Sequence, residues 1–514
     1  MKPKHFIIPV IILLIALFVA SGCSKNLDSL AENRTYTGGT DYTITSNMIQ
    51  PLYGVYSHLN GIGWNIFPLL AVRGDDVNKG ALGDQSPLGD IDHYSYDNTY
   101  WMLNANWQEL FGDVIAANSA MEQIALYKQN AANGAPLANQ YTAEIQVMRC
   151  WWLFWCSRQW GSILIPTSSD PSLMFQAKLS PKDTVMAYIS ARMDEAIPNL
   201  PDMRPNQRTD IPGGVTKYTA LAIKALANLE LKNYQAVANA TGQIIQSGKF
   251  SLESDFYNLF KLKGKWNNEN VWELSYTDFG TGSGDSYNYL WDFFGPQSWS
   301  PKVSTANGGW AFWEPSFKFI KFMLDRGETV RLETTVLFTQ AGIDSLKKVY
   351  PQYATSLPSF VKNTTRDGDV FNNGARQVFY SGKMYLPSDM LTPGRTGYST
   401  NKNFQIIRYS QILLMYAEAL TQGATGSAGT ADAAVNAVRA RAGLTPLTGV
   451  TNAQVMNEKF AELACEWGDR YYDMVRLGKY DELNYDGRTG FSASKIFLPY
   501  PIAQTDVLPQ LSAK

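Results

Sequence analysis

Glu462-Leu463-Ala464-Cys465-Glu466-Trp467-Gly468-Asp469-Arg470-Tyr471-Tyr472-Asp473-Met474-Val475-Arg476-Leu477-Gly478 is the most informative stretch of this chain. Glu462, Glu466 and Arg470 recur every four residues, and Asp473 and Arg476 follow at steps of three. On a helix such steps stack opposite charges along one face, while Leu463, Tyr471 and Val475 turn inward. The spacing predicts ion-paired scaffold helices over 452–466 and 468–477. Nothing in it points to chemistry.

Working outward, the same periodicity predicts helices from Ser46, a plausible N-cap, through Leu59, and then at about 98–129, 139–160, 181–197, 215–231, 233–247, 408–422 and 430–442. Ala220, Ala222, Ala225 and Ala227 line one helix face, and Ala236, Ala238 and Ala240 line the next. Small residues let antiparallel helices approach closely, as in a tetratricopeptide hairpin. Tyr416, Ala417, Ala419, Ala431, Ala433, Ala434 and Ala437 repeat the device. Residues 248–405 break this order. Gly, Asn, Ser and Pro interrupt them, and short apolar runs such as Val271-Trp272-Glu273-Leu274-Ser275-Tyr276 suit strands. So long a loop-rich insertion, crowded with aromatic residues, implies binding rather than disorder.

The first residues read as an address. Lys2 and Lys4 precede an apolar run from Phe6 to Ala20 that ends in Val19-Ala20-Ser21-Gly22-Cys23. Small residues before a cysteine suit lipoprotein processing, so residues 1–22 are expected to be a signal peptide and Cys23 the acylated N-terminus. Residues 23–45 then form a polar tether, anchored to a membrane through lipid. No later run reads as membrane-spanning; Val147 to Cys156 is too short and carries Arg149. Net charge is −2 with 18% charged residues, which gives no basic field for nucleic acid. Cys150 and Cys156 stand about 9 Å apart along a helix, beyond disulfide reach. Histidine is scarce, which argues against a His-based metal centre or triad.

Six of the 14 tryptophans fall between Trp266 and Trp313. Sugar rings offer apolar C–H faces that stack on such rings, with hydroxyls met by Asn, Asp and backbone groups. Trp291, Trp299, Trp310, Trp313, Trp266 and Tyr289 are therefore candidate ligand contacts, whereas Trp272 reads as core. The bland alternative for all of them is a satellite core beneath the loops. Gly280-Thr281-Gly282-Ser283-Gly284 lacks the Lys-Ser/Thr ending of a phosphate loop and reads as a flexible binding loop. A second candidate region pairs Asp75 and Asp76 with Trp101 and Asn104. The adjacent carboxylates suit Ca²⁺, sugar hydroxyls or a turn cap; Trp101 and Asn104 lie one helical turn apart. No nucleophile elbow, metal-ligand cluster or nucleotide fingerprint appears, and no spacing of acids suggests a catalytic pair. No catalytic residue, cofactor or metal site is assigned.

The closing stretch resembles the SusD/RagB family of nutrient-binding outer-membrane lipoproteins of Bacteroidetes. Asp113-Val114-Ile115-Ala116-Ala117-Asn118, Ala143 through Trp152, and Gln159-Trp160-Gly161 are similar to the family's first two helical motifs. Arg408-Tyr409-Ser410-Gln411-Ile412-Leu413-Leu414-Met415-Tyr416-Ala417-Glu418-Ala419 is the most specific match. Asn436 through Leu444 and Phe497-Leu498-Pro499-Tyr500-Pro501-Ile502 complete it. Two features depart from the pattern: Trp467 stands where the family usually has Gly, and Ser24-Lys25-Asn26-Leu27-Asp28 carries little acid for a surface-export signal. The resemblance implies a mainly α fold, a single domain over 46–514, with a helical scaffold at about 46–247 and 406–514 and the ligand-binding region at about 248–405. It also implies a non-catalytic surface protein that captures glycans for a SusC-like TonB-dependent transporter in the outer membrane. Less expected are a peptide-binding subunit of such an importer and a surface glycoside hydrolase.

Overall fold

A computed structural model describes residues 40–63, 71–79, 86–277, 293–303, 306, 308–375, 377–391, 401–485 and 487–512. The expected signal peptide, Cys23, most of the tether, the 280–284 stretch, Tyr289 and Trp291 lie outside the described residues.

The periodic segments are helices close to their predicted bounds. They are α1 (Ile49–Asn60), α2 (Trp101–Asn130), α3 (Ala135–Trp160), α4 (Lys182–Ala196), α5 (Lys217–Glu230) and α6 (Tyr234–Gln246). After the insertion come α10 (Tyr409–Thr421), α11 (Ala431–Arg441), α12 (Asn452–Leu463) and α13 (Asp469–Leu477), leaving α7–α9 within it. Local chemistry sets the ends. Thr216 caps α5 by accepting from Tyr218 N, and Asn233 caps α6 by accepting from Ala236 N. At the start of α1 a short 3-10 turn, Thr45–Met48, replaces the predicted Ser46 cap.

The helices pack in sequence, α2 on α3, α3 on α4, α4 on α5 and α5 on α6. The next partner of α6 is α10, so the scaffold closes across the insertion. Ala220, Ala222, Ala225 and Ala227 are all buried, as their spacing predicts. The second alanine face is narrower than predicted: Ala417, Ala419 and Ala434 are buried, but Ala433 and Ala437 face solvent.

The insertion is less strand-like than its composition suggests. It holds α7 (Phe317–Asp325), α8 (Val330–Thr335) and α9 (Gln340–Val349). Ser316 caps α7 and Thr339 caps α9, and each buries a small apolar face through Ile320 and Met323 or Ile343 and Leu346. The strands form two-stranded antiparallel ribbons. β1 (Val77–Lys79) pairs with β4 (Trp313–Pro315), β2 (Asn270–Leu274) with β8 (Phe404–Arg408), β3 (Trp299–Ser300) with β6 (Val370–Phe371), and β5 (Val336–Phe338) with β7 (Phe379–Ser381). In the β2–β8 ribbon Asn270 stands opposite Arg408 and Leu274 opposite Phe404.

The closing stretch is not one continuous charge face. Cys465 (φ 60°) and Gly468 (φ 72°) turn the chain between α12 and α13 through left-handed backbone. Glu462, Glu466 and Arg470 are thereby split among a helix, a bend and a second helix, and each pairs far away in sequence. Arg408 reaches Glu269 at 2.8 Å, Glu462 at 2.8 Å and Glu466 at 2.7 Å. Arg441 also binds Glu269 (3.1 Å) and Glu462, and Arg331 adds Glu458 (2.7 Å). Farther along, Arg476 pairs with Glu418 at 2.5 Å and Asp473 at 2.7 Å. Nearly all of these groups are buried. Burial alone lifts the Glu462 carboxyl, but Arg441, Arg408 and Arg331 outweigh it and hold it well below the usual range. Trp467 fits the same packing: its Nε1 donates to the Gln405 carbonyl at 2.6 Å, and its ring meets Trp151, Trp155 and Phe404.

Candidate functional site

Trp310 is the most exposed tryptophan described in the insertion, at 48% of its surface. It sits on a short backbone ladder in which Gly309 N donates to Pro296 O (2.7 Å), Ala311 N to Gly295 O (2.9 Å) and Phe312 N to Phe293 O (2.8 Å). Ala311 takes a left-handed φ of 50° and is buried, which leaves Trp310 on the outer side. Its ring meets Phe293 edge-on at 4.9 Å and Phe312 at 5.8 Å, while Phe293 and Phe312 lie 5.2 Å apart. Three rings thus share one patch with an open tryptophan face. Such geometry suits a flat apolar ligand face better than a deep apolar ligand.

Trp299 borders the same loop. It is half-buried in β3, stacked on Phe371 at 6.1 Å and edge-on to Tyr385 at 6.3 Å. Beneath it, Asp369 is fully buried and accepts from Lys302 N (2.7 Å), Ser388 N (2.9 Å), Ser388 Oγ (2.6 Å) and Tyr385 Oη (2.5 Å). One carboxylate therefore ties three loop segments next to Trp299. Sequence reading missed Asp369, whose partners lie 16 to 67 residues away.

The other predicted residues separate by environment. Trp313 is only 1% exposed and packs on Phe294 at 4.8 Å, so its ring is core and not a ligand contact. Trp266 is 36% exposed with a left-handed φ of 51°; its Nε1 donates to Ser275 Oγ at 3.0 Å, and its backbone N to Glu273 Oε1 at 2.7 Å. Trp101 opens α2 with half its surface exposed and lies 6.5 Å from the Tyr100 ring. One turn on, half-buried Asn104 accepts from Gln504 Nε2 at 2.8 Å, which ties it to the C-terminal segment.

Asp75 and Asp76 do not face a ligand. Both are buried. Asp75 binds Arg470 at 2.7 Å and Lys318 at 2.5 Å, and these cations outweigh burial to hold its carboxyl low. Asp76 accepts from Cys465 N at 2.8 Å, and burial lifts it to about 6. The pair anchors the bend between α12 and α13 to the first third of the chain. That long-range use corrects the expectation of a sugar- or cation-binding pair. Among the described residues no group of three or more His, Cys, Asp or Glu side chains is placed to hold a metal ion, and no helix is long and apolar enough to cross a membrane.

Comparison with known proteins agrees with this architecture. The SusD family profile matches residues 268–495. The chain is 24% identical to the SusD-like protein P2 of Formosa agariphila, over 97% of this chain and 96% of that protein. Surface glycan-binding protein A of Bacteroides thetaiotaomicron, solved in complex with laminarihexaose, superposes with a TM-score of 0.73 at 21% identity, covering 91% of this chain and 98% of that one. A laminarin-binding SusD-like protein gives a TM-score of 0.72 at 22% identity, over 89% and 96% of the two chains. Residues 268–495 thus carry the sequence pattern of the SusD family, and the described residues share the mainly helical fold of SusD-like structures.

Proposed function

We propose that this protein captures glycans at the cell surface and passes them to a SusC-like TonB-dependent transporter, working as a single unit held in the outer membrane by acylated Cys23. The observation that carries the reading is the half-exposed Trp310 ring, supported by Phe293 and Phe312. Aromatic faces of this kind stack on sugar C–H surfaces, and the glycan- and laminarin-binding proteins that share this fold support the same ligand class. Trp299 at the border, Trp266 and Trp101 are the next candidate contacts. The protein binds and does not turn over its ligand.

Affinity electrophoresis in gels containing laminarin or other soluble polysaccharides tests this directly. Wild-type protein should be retarded by at least one of them, and Trp310→Ala should lose most of that retardation. Equal retardation of both proteins in every gel would overturn the site. Release of reducing ends by the purified protein would overturn the non-catalytic reading.

A further inference from the structure

Two segments that resemble family motifs lie outside the aromatic loops, and the fold brings them together. Gln159-Trp160-Gly161 ends α3, and Phe497-Leu498-Pro499-Tyr500 lies near the C-terminus. Leu498 N donates to Gln159 O at 2.7 Å, and Tyr500 Oη to Ser162 O at 2.7 Å. The Phe497 ring lies against Gly161, where a Cβ would meet ring carbons at 3.0 to 3.1 Å; Gly161 also has a φ of 74°. No other residue suits that position. Trp160, Phe497, Leu498, Pro499 and Tyr500 border, together with Tyr96, Asp97 and Asn98, an open cavity of about 540 Å³. That volume falls in the range of small-ligand pockets.

Its walls are held from behind. Arg73 is fully buried and donates to the carbonyls of Lys495 (2.6 Å) and Ile496 (3.1 Å), while its guanidinium lies 4.0 Å over the Tyr471 ring. Ile502 N donates to Asn98 O at 2.9 Å, which ties the Asn98 segment to the same C-terminal stretch. A ligand entering here meets a shape that is already formed.

The lining groups narrow the ligand class. Phe497 leaves 37% of its surface open, a flat apolar face. The Lys495 ammonium donates to Tyr96 O at 2.8 Å, and an ammonium has three donors. Asp97 accepts from Thr99 N (2.8 Å) and Thr99 Oγ1 (2.6 Å) through one oxygen, and these bonds hold its carboxyl below the usual carboxylate range. Asn98 adds an exposed amide. An anionic ligand would meet Asp97 and a cationic one Lys495, while an apolar ligand would desolvate both charges without replacing their hydrogen bonds. A neutral polyol with an apolar C–H face satisfies all four groups together.

We infer that this cavity is a second saccharide site, taking a short neutral oligosaccharide or the end of a chain, with Phe497 as its stacking platform. It goes beyond the surface reading and shares no residue with the Trp310 patch; it rests on the proposed glycan specificity only for the choice of probe.

Saturation-transfer NMR and calorimetric titration of the purified protein with laminaribiose, cellobiose and maltose provide the test. At least one disaccharide should bind the wild type. Phe497→Ala should weaken that binding at least tenfold, Asn98→Ala about threefold, and Trp310→Ala less than twofold. Both substituted pocket residues are exposed, and an unchanged circular dichroism melt verifies folding. Absence of wild-type binding to all three sugars, or binding that ignores both pocket variants, overturns the inference. If laminarin retardation fails while a disaccharide still binds through Phe497, the surface reading falls and this one stands. The opposite pattern removes this site alone.

Discussion

The helix α3 and the loop 293–313 are both crowded with aromatic rings, yet they use them in opposite ways. In α3, Trp151, Trp152, Trp155 and Trp160 are all buried, and Trp151 and Trp155 pack against Trp467. In the loop, Trp313 is buried while Trp310, three residues earlier, is half exposed. Backbone geometry makes the difference. A helix buried on most sides hides every ring it carries, whereas an extended ladder sends successive side chains to opposite faces. Ring content alone therefore says little about binding; the face a ring occupies decides it.

The sharpest way to break this contrast is to cut the scaffold. Arg408→Ala leaves Glu269, Glu462 and Glu466 buried around a missing guanidinium and should cost about 3–5 kcal/mol of unfolding free energy in a urea melt. Trp313→Ala should cost a similar or slightly smaller amount, about 3–4 kcal/mol, through the cavity left against Phe294. Trp310→Ala should do the reverse. Its stability should stay within about 0.5 kcal/mol of wild type, while polysaccharide affinity falls about tenfold. If Trp310→Ala proves as destabilising as Trp313→Ala, the two rings belong to one core and the contrast fails.

A further effect concerns pH. Glu273 on β2 is buried, and desolvation raises its carboxyl from 4.5 to about 8 despite hydrogen bonds from Trp266 N and Asn270 Nδ2. Over that window the folded protein holds a proton that the unfolded chain releases. Its contribution to stability is complete below pH 4.5 and is lost as pH rises towards about 8. Glu273→Gln should flatten the decline of urea midpoint across this range; an unchanged slope would show that Glu273 is ionised in the fold.

The helical half was legible because its periodicity and small-residue faces are local signals. Helix ends were read to within a few residues. The bend at Cys465 was not legible, because a left-handed residue other than Gly or Asn carries no compositional mark. For Asp75, the adjacency of two acids was visible, but its partner Arg470 is 395 residues away. The helices α7 and α9 were missed since each is only nine or ten residues long and lies among loop-forming residues. For the candidate site, tryptophan density points to the loop that carries Trp310. It could not separate Trp310 from Trp313, which needs the ladder register. Phe497 belongs to a motif legible in the sequence, but only the fold sets its ring against Gly161.

The β2–β8 ribbon carries a consequence for how such a protein can change. Glu269 stands directly before β2 and binds Arg408, the last residue of β8, so both ends of the intervening chain are latched at one point. The entropy of closing a loop grows only with the logarithm of its length. Surface loops within residues 275–403 can therefore be lengthened or shortened at small closure cost while the latch is kept, provided that the buried ties made by Trp313, Lys318 and Arg331 are retained. A scaffold with such a latch can acquire a new specificity without learning to fold again.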